Sequence, residues 1–120
     1  MTKSLLIVDD EASMRRMYER LFAHAGYGLT LAGSVAEGRR LMAANRYDLL
    51  ITDLVLGDGE GTELVKMAAW GKGGANAILI SGSIGEREVP LCIEKYKLKD
   101  CFTKPFLAHS LLIAVKNILD

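Results

Sequence analysis

The sequence predicts a doubly wound α/β domain with a five-stranded parallel sheet. Short apolar runs alternate along the 120 residues with segments of helical period. Most of these runs are rich in Leu, Ile or Val without strict alternation, which is typical of strands covered on both faces. Strand–helix alternation repeated in this way favours one sheet with helices packed on its two sides. The predicted strands cover residues 5–8, 29–32, 49–52, 77–80 and 101–103.

Helical periodicity is clearest in the first and second predicted helices. Residues 12–25 carry apolar side chains at three- and four-residue spacing, and Gly26 follows as a stop signal. Ser34 begins the second helix, and Glu37 three residues later completes a capping-box pattern. Leu41 and Met42 give that second helix a buried side.

The remaining helices are predicted over residues 62–70, 90–97 and 106–119. The third buries Leu64, Val65 and Ala68 and should end in a glycine-rich turn at residues 71–74. Gly85 and Pro90 interrupt residues 83–98, and Pro90 is expected at the first position of a short fourth helix. The fifth places its apolar residues on or near one face: Leu107, Leu111, Leu112, Val115 and Leu119.

Composition limits the classes of protein that need be considered. Fifteen basic residues balance fifteen acidic ones, so bulk charge predicts no attraction to nucleic acid or to anionic lipid. The length suits a single domain spanning residues 1–120. Cys92 and Cys101 lack metal-ligand spacing and are expected to be reduced thiols. No apolar run is long enough for a membrane span or a signal peptide, which predicts a cytoplasmic protein.

Polar side chains follow four of the predicted strands. Asp9 and Asp10 follow the first strand, Asp53 the third, Ser81 the fourth and Lys104 the fifth. Ligands of open parallel sheets bind outside the carboxyl ends of the strands. If the first strand is central, with the third and fourth on one side of it, these residues converge at one edge.

This set of residues predicts a magnesium-dependent phosphoryl-transfer site. Mg²⁺ prefers hard oxygen ligands and binds through one or two carboxylates plus phosphate oxygens. Lys104 offers a point charge suited to phosphate, and Ser81 offers a hydroxyl donor. One aspartate can then act as a nucleophile and become an aspartyl phosphate. Taken singly, each residue also has a structural explanation as a helix cap, a turn residue or solvated surface.

Other motifs are weaker. Residues 57–61, "GDGEG", match neither a calcium loop nor a phosphate-binding loop. Acids rather than a glycine-rich turn follow the first strand, which argues against a dinucleotide site.

The sequence resembles the receiver domains of two-component response regulators over almost all of its length. The resemblance rests on "LLIVDDE", on "YDLLITDL" with Gly61 eight residues after Asp53, on "AILIS" and on "FTKPF". It implies a flavodoxin-like fold with strand order 2-1-3-4-5 and five helices. It also implies a cis bond between Lys104 and Pro105.

The resemblance further implies a role for each site residue. Asp53 would accept a phosphoryl group from a phosphohistidine of a histidine kinase or phosphotransfer protein. Asp10, Asp53 and the backbone carbonyl of Val55 would bind Mg²⁺, with Asp9 acting through a water molecule. Ser81 would be the switch hydroxyl, and Lys104 would bind the phosphoryl group. Such a protein assists its own phosphorylation and dephosphorylation but is not a turnover enzyme.

Phosphorylation would then change the surface formed by the fourth helix, fifth strand and fifth helix. Expected partners are the kinase and a downstream effector or fused output domain. A homodimer is possible, and direct binding of nucleic acid or membrane is not expected of this domain.

Two departures from the family pattern concern function. Gly57 stands where the family usually has proline, so this loop is expected to be more mobile than usual. Cys101 stands where an aromatic side chain usually swings inward on activation. A thiol has little volume to swing, which predicts a muted rearrangement. Phe102 should face the opposite side of the sheet.

Two alternatives remain open from the residues alone. The first is a receiver-like interaction domain that works without phosphorylation. The second is a small Mg²⁺-dependent phosphatase. Such enzymes usually place a D-x-D motif after the first strand, whereas Asp9 and Asp10 are adjacent here.

Overall fold

Five parallel strands form the main sheet in a computed structural model that describes residues 2–70 and 76–120. The strand order is β2-β1-β3-β6-β7. Two further short strands, β4 and β5, form a separate antiparallel hairpin. The predicted order 2-1-3-4-5 is therefore confirmed, with β6 and β7 as the fourth and fifth strands of the sheet. The strands are β1 Ser4–Val8, β2 Gly28–Ala32, β3 Leu49–Asp53, β4 Val55–Leu56, β5 Gly59–Glu60, β6 Asn76–Ser81 and β7 Asp100–Thr103.

Five α-helices cover the two faces of the sheet. Because successive strand residues point to opposite faces, β1 contributes Leu6 and Val8 to one apolar cluster and Leu5 and Ile7 to another. The first cluster packs under α2, α3 and α4, and the second packs under α1 and α5. The helices are α1 Ala12–Leu21, α2 Val35–Ala44, α3 Thr62–Trp70, α4 Val89–Tyr96 and α5 Ala108–Leu119.

The first helix is shorter than predicted. It ends at Leu21 rather than at residue 25, and the backbone N–H of Phe22 closes it on the carbonyl of Tyr18. Phe22 and Ala25 nevertheless pack in the core from the following turn. The apolar spacing therefore continued past the end of the helix, because Phe22 and Ala25 of the turn also pack against the core. Gly26 follows with φ +84°, a conformation that suits glycine.

The capping of α2 is only partly as predicted. The Ser34 hydroxyl accepts a hydrogen bond of 3.0 Å from the backbone N–H of Glu37, as expected of an N-cap. The Glu37 carboxylate, however, accepts from the backbone N–H of Gly33 at 2.7 Å, one residue before the cap. The reciprocal half of a capping box is therefore shifted by one residue.

The fourth and fifth helices differ from prediction at their starts. A turn of 3₁₀-helix, Glu86–Glu88, precedes α4, and Pro90 is the second residue of that helix rather than the first. Helix α5 begins at Ala108, and Leu107 lies before it with 76% of its surface exposed. Leu107, predicted within this helix on or near its apolar face, therefore precedes the helix and does not pack in the core. The glycine-rich turn expected at residues 71–74 lies outside the described residues.

Three further expectations can be compared with the structure. Cys92 and Cys101 are both free thiols and both are buried. The Lys104–Pro105 bond is cis. Within residues 2–70 and 76–120, no helix combines the length and the apolar character that crossing a membrane requires.

Candidate functional site

The carboxyl ends of the central strands bring the predicted site residues to one edge of the sheet. The register pairs Val8 of β1 with Thr52 of β3, so the acids that follow these residues lie at the same level. Ser81 of β6 pairs with Thr103 of β7, which places Lys104 beside the end of β6.

Three carboxylates form the centre of this site. Oxygen atoms of Asp9, Asp10 and Asp53 all lie within 4.8 Å of one another. Asp9 and Asp53 are buried, with exposures of 1% and 6%, whereas Asp10 is exposed. Like charges so close together repel one another strongly in a partly desolvated site. The arrangement therefore needs cations to stabilise it.

Lys104 is one such cation. Its Nζ lies 2.9 and 3.0 Å from the two carboxylate oxygens of Asp53 and 3.6 Å from Asp9 Oδ2. Burial lowers the pKa of Lys104, but the carboxylates of Asp53 and Asp9 outweigh it and raise the pKa overall. Lys104 is therefore charged at neutral pH and cancels one of the three negative charges.

Asp53 is electrostatically the most perturbed of the acids whose shift is resolved. Burial raises the pKa of its carboxyl group to about 6, and the negative charge of Asp9 adds to this effect. The hydrogen bond from Lys104 acts in the opposite direction but does not cancel the rise. Asp53 is thus a carboxylate with an unfavourable environment for its charge, and a second cation would relieve it.

The donor set fits a small divalent cation. Asp9 Oδ1 accepts a hydrogen bond of 2.9 Å from the backbone N–H of Glu11. Asp9 Oδ2 is buried and accepts no hydrogen bond from the described residues. A buried oxygen without a hydrogen bond is costly unless another group, such as a metal-bound water, approaches it. With three oxygen-donor carboxylates and one ammonium, the residues present fit Mg²⁺.

Comparison with known proteins identifies the family. A family model described as "Response regulator receiver domain" matches residues 5–116. The chain belongs to this family. "Transcriptional regulatory protein CusR" of Escherichia coli K12 is 31% identical over 117 residues, which are 96% of this chain and 50% of that protein. "Acid tolerance regulatory protein ActR" of Sinorhizobium medicae is 30% identical over 94% of this chain and 58% of that protein.

Solved structures agree with this assignment. The receiver domain protein described as CheY-like from Methanospirillum hungatei JF-1 is 25% identical, with a TM-score of 0.84 over 98% of this chain and 93% of that one. The non-phosphorylated HemR receiver domain of Leptospira biflexa has the same fold, with a TM-score of 0.86 at 22% identity over 98% of this chain and 94% of that one. The chain spans about half the length of the curated relatives that it matches. Membership of this family supports a role in phosphorylation-dependent two-component signalling.

Ser81 lies at the predicted edge of this receiver domain, but its hydroxyl is engaged elsewhere. Ser81 is buried, and its Oγ accepts a hydrogen bond of 3.0 Å from the backbone N–H of Ser83. The two serine hydroxyls are also 3.0 Å apart. In this structure Ser81 therefore bonds to the loop that follows β6.

Cys101 and Phe102 lie on opposite faces of β7, as predicted. Cys101 packs in the cluster under α4, whereas Phe102 packs in the other cluster, 5.7 Å from the ring of Phe106. Burial, followed by the neighbouring thiol of Cys92, raises the pKa of Cys101 to about 12. Cys101 is therefore a neutral, apolar packing residue at this position.

Sequence reasoning missed residues that shape the receiver site. Arg15 of α1 donates a hydrogen bond of 2.7 Å to the backbone carbonyl of Asp9 and so helps to hold the turn after β1. Asp58 and its neighbours form the β4–β5 hairpin that follows Asp53. The hairpin had a local signal, because Gly57-Asp58 is a two-residue pair of the type that links antiparallel strands. Arg15 had none, since its partner is a backbone atom in another element.

Gly61 has a packing role that its place in the family motif did not reveal. A Cβ at this position would overlap the carbonyl oxygen of Asp53 and lie 2.6 Å from Thr52 Oγ1. The backbone N–H of Gly61 also donates a hydrogen bond of 2.8 Å to the carbonyl of Leu54. The chain therefore returns directly against the end of β3, where only glycine fits.

Proposed function

We propose that this chain is a phosphorylation switch in which Asp53 accepts a phosphoryl group from the phosphohistidine of a histidine kinase or phosphotransfer protein. The observation that carries the proposal is the cluster of Asp9, Asp10 and Asp53 within 4.8 Å, with Lys104 contacting Asp53 and Asp9. We also propose that residues 1–120 act as one receiver domain.

The residues have distinct roles in the proposed reaction. A carboxylate oxygen of Asp53 forms a bond to phosphorus while the bond from phosphorus to the histidine nitrogen breaks, so that the electron pair of the broken bond stays on the imidazole. Lys104 is already held by both oxygens of Asp53. It is therefore placed to transfer its contact to the phosphoryl oxygens as negative charge accumulates there.

The site also needs more positive charge than Lys104 supplies. Three carboxylates and one ammonium leave two negative charges before an anionic phosphoryl group approaches. Asp10, Asp53 and the backbone carbonyl of Val55 would hold Mg²⁺, with Asp9 acting through a bound water. When bound, the ion would supply positive charge for the phosphoryl oxygens.

Ser81 links phosphorylation to the surface of α4, β7 and α5 in this proposal. Its hydroxyl, which bonds to Ser83 in this structure, would donate to a phosphoryl oxygen once Asp53 is phosphorylated. The strand that carries Ser81 is hydrogen-bonded to β7. Movement at the end of β6 would therefore reach the surface that a downstream effector or a fused output domain contacts.

The decisive experiment is phosphorylation by acetyl phosphate in the presence of Mg²⁺, followed by intact mass measurement. We expect a mass gain of one phosphoryl group that is absent with EDTA and absent in Asp53→Asn. Absence of any gain in the wild type would favour the phosphorylation-independent interaction domain. Repeated turnover of p-nitrophenyl phosphate would favour the phosphatase instead.

The position of Cys101 predicts a muted response to activation. Beryllofluoride should shift the amide resonances of residues 83–119 only modestly, because the small thiol packed under α4 has little volume to rearrange. Two-dimensional NMR spectra with and without beryllofluoride and Mg²⁺ measure this response. Ser81→Ala is the matched control, since it removes the hydroxyl that initiates the movement and should reduce the shifts further. Large shifts across α4, β7 and α5 in the wild type would contradict the prediction.

A further inference from the structure

The β4–β5 hairpin makes an unusual contact with the start of α2. Its two-residue turn is Gly57-Asp58, and the Asp58 carboxylate accepts hydrogen bonds from the backbone N–H groups of Val35 and Ala36 at 2.8 and 3.0 Å. These partners lie 23 and 22 residues earlier in the chain. Since Ser34 accepts from the N–H of Glu37, the first three helical N–H groups of α2 are all satisfied, two of them by Asp58.

This contact is electrostatically favourable. A carboxylate at a helix N-terminus interacts with the positive end of the helix dipole. The hydrogen bonds from Val35 and Ala36 lower the pKa of Asp58, so its side chain is ionised at neutral pH. Asp58 is itself exposed, but its bonds fix the turn of the hairpin to a regular helix.

The other side of the hairpin faces the cluster of acids. The position of a Cβ on Gly57 lies 3.6 Å from Asp10 Oδ2. Val55, whose carbonyl is a proposed Mg²⁺ ligand, pairs with Glu60 across the hairpin. The hairpin therefore lies between the proposed metal site and α2.

Glycines flank Asp58 on both sides. Gly57 is the other residue of the two-residue turn, and Gly59, the first residue of β5, has φ +157°. Glycines give this turn more backbone freedom than other residues would. The two hydrogen bonds of Asp58 restrict that freedom. The hairpin is therefore held more firmly than Gly57 by itself predicted, because no local pattern in the sequence indicated these bonds.

We infer that Asp58 is a positioning residue that fixes the β4–β5 hairpin on α2 and thereby pre-organises the Val55 carbonyl for the cation. This inference rests on the proposed function, because it concerns the same Mg²⁺ site. Coupling of this kind is reciprocal. Mg²⁺ binding should therefore also stabilise the hydrogen bonds at the start of α2.

The test compares Asp58→Ala with a variant that weakens the same helix end without touching the hairpin. Ser34→Ala is this control, because it removes only the bond to Glu37 N–H. Both variants should lower the midpoint of chemical unfolding. Asp58→Ala alone should weaken Mg²⁺ binding, measured by NMR titration, by about tenfold, as loss of an outer partner weakens other metal sites. Asp58→Asn should bind with intermediate affinity, since it retains one acceptor oxygen.

A second measurement tests the reciprocal effect. Saturating Mg²⁺ should slow hydrogen exchange at the amides of Val35 and Ala36 in the wild type and in Ser34→Ala, but not in Asp58→Ala. Equal Mg²⁺ affinity in Asp58→Ala and the wild type would overturn the positioning role and leave the proposed function intact. Failure of the wild type itself to bind Mg²⁺ would overturn both.

Discussion

Asp53→Asn should stabilise the metal-free protein at pH 7.5 while it abolishes phosphorylation. The pKa of Asp53 is about 6 in the folded protein, against an ordinary value of 3.8. Since one pKa unit corresponds to about 1.4 kcal/mol, the charged carboxylate destabilises the fold by roughly 3 kcal/mol. Asparagine removes this charge. Lys104 keeps the carboxylate of Asp9 at 3.6 Å as a partner.

The same pKa fixes the pH dependence of this effect. Because the folded-state pKa is raised, the folded protein binds the proton of Asp53 more tightly than the unfolded chain does. The stabilisation of the fold by protonated Asp53 is complete below about pH 4 and is lost as the pH rises to about 6. Urea unfolding in EDTA from pH 4 to 8 should show the stability of the wild type falling relative to Asp53→Asn over that interval.

Two controls accompany the pH series. Glu86→Gln removes an exposed carboxylate and should leave the pH profile of the wild type unchanged. Added Mg²⁺ should raise the stability of the wild type, because the ion binds the folded state. The gain should be smaller in Asp53→Asn, because this variant lacks one of the proposed carboxylate ligands. A constant difference between the wild type and Asp53→Asn at every pH would contradict the assigned electrostatics.

Gly61→Ala should destabilise the fold by about 3 kcal/mol, near the upper end of the usual cost of overpacking. The added methyl group would overlap the carbonyl oxygen of Asp53, which belongs to a buried strand and cannot move freely. The measurement is the free energy of unfolding in urea.

Gly28→Ala is the matched control for Gly61→Ala. The nearest atom to a Cβ at Gly28 is the carbonyl oxygen of Lys3, at 3.9 Å, which is ordinary van der Waals contact. The free energy of unfolding of Gly28→Ala should remain within about 0.5 kcal/mol of the wild-type value. Similar losses in the two variants would show that the close approach at Gly61 is not the cause.

Local sequence pattern was sufficient to predict the five strands of the main sheet and most of each helix. The five main strands lie within one residue of their predicted ends. Three of them, β1, β3 and β6, are largely runs of Leu, Ile and Val, which indicate burial on both faces. Helix ends were less accurate. Residues 22–25 kept the helical spacing after α1 had ended, since apolar side chains in a turn can pack in the same core.

Part of the chemistry of the site could also be predicted from the sequence. Acids and a lysine that follow buried strands predicted convergence at one edge, and the carboxylates of Asp9, Asp10 and Asp53 do meet there. The strand order that brings them together came from the resemblance to a family rather than from any local pattern.

The sequence by itself determined which segments are strands and helices and which polar residues follow the strands, because burial and periodicity act on neighbouring residues. Only the tertiary structure decided that Asp58 caps α2, that Ser81 bonds to Ser83 and that Gly61 lies against the carbonyl of Asp53. The contacts of Asp58 and Gly61 depend on how the chain folds back on itself, which local spacing does not encode. The contact of Ser81 depends on which of several available partners its hydroxyl takes once the elements have packed.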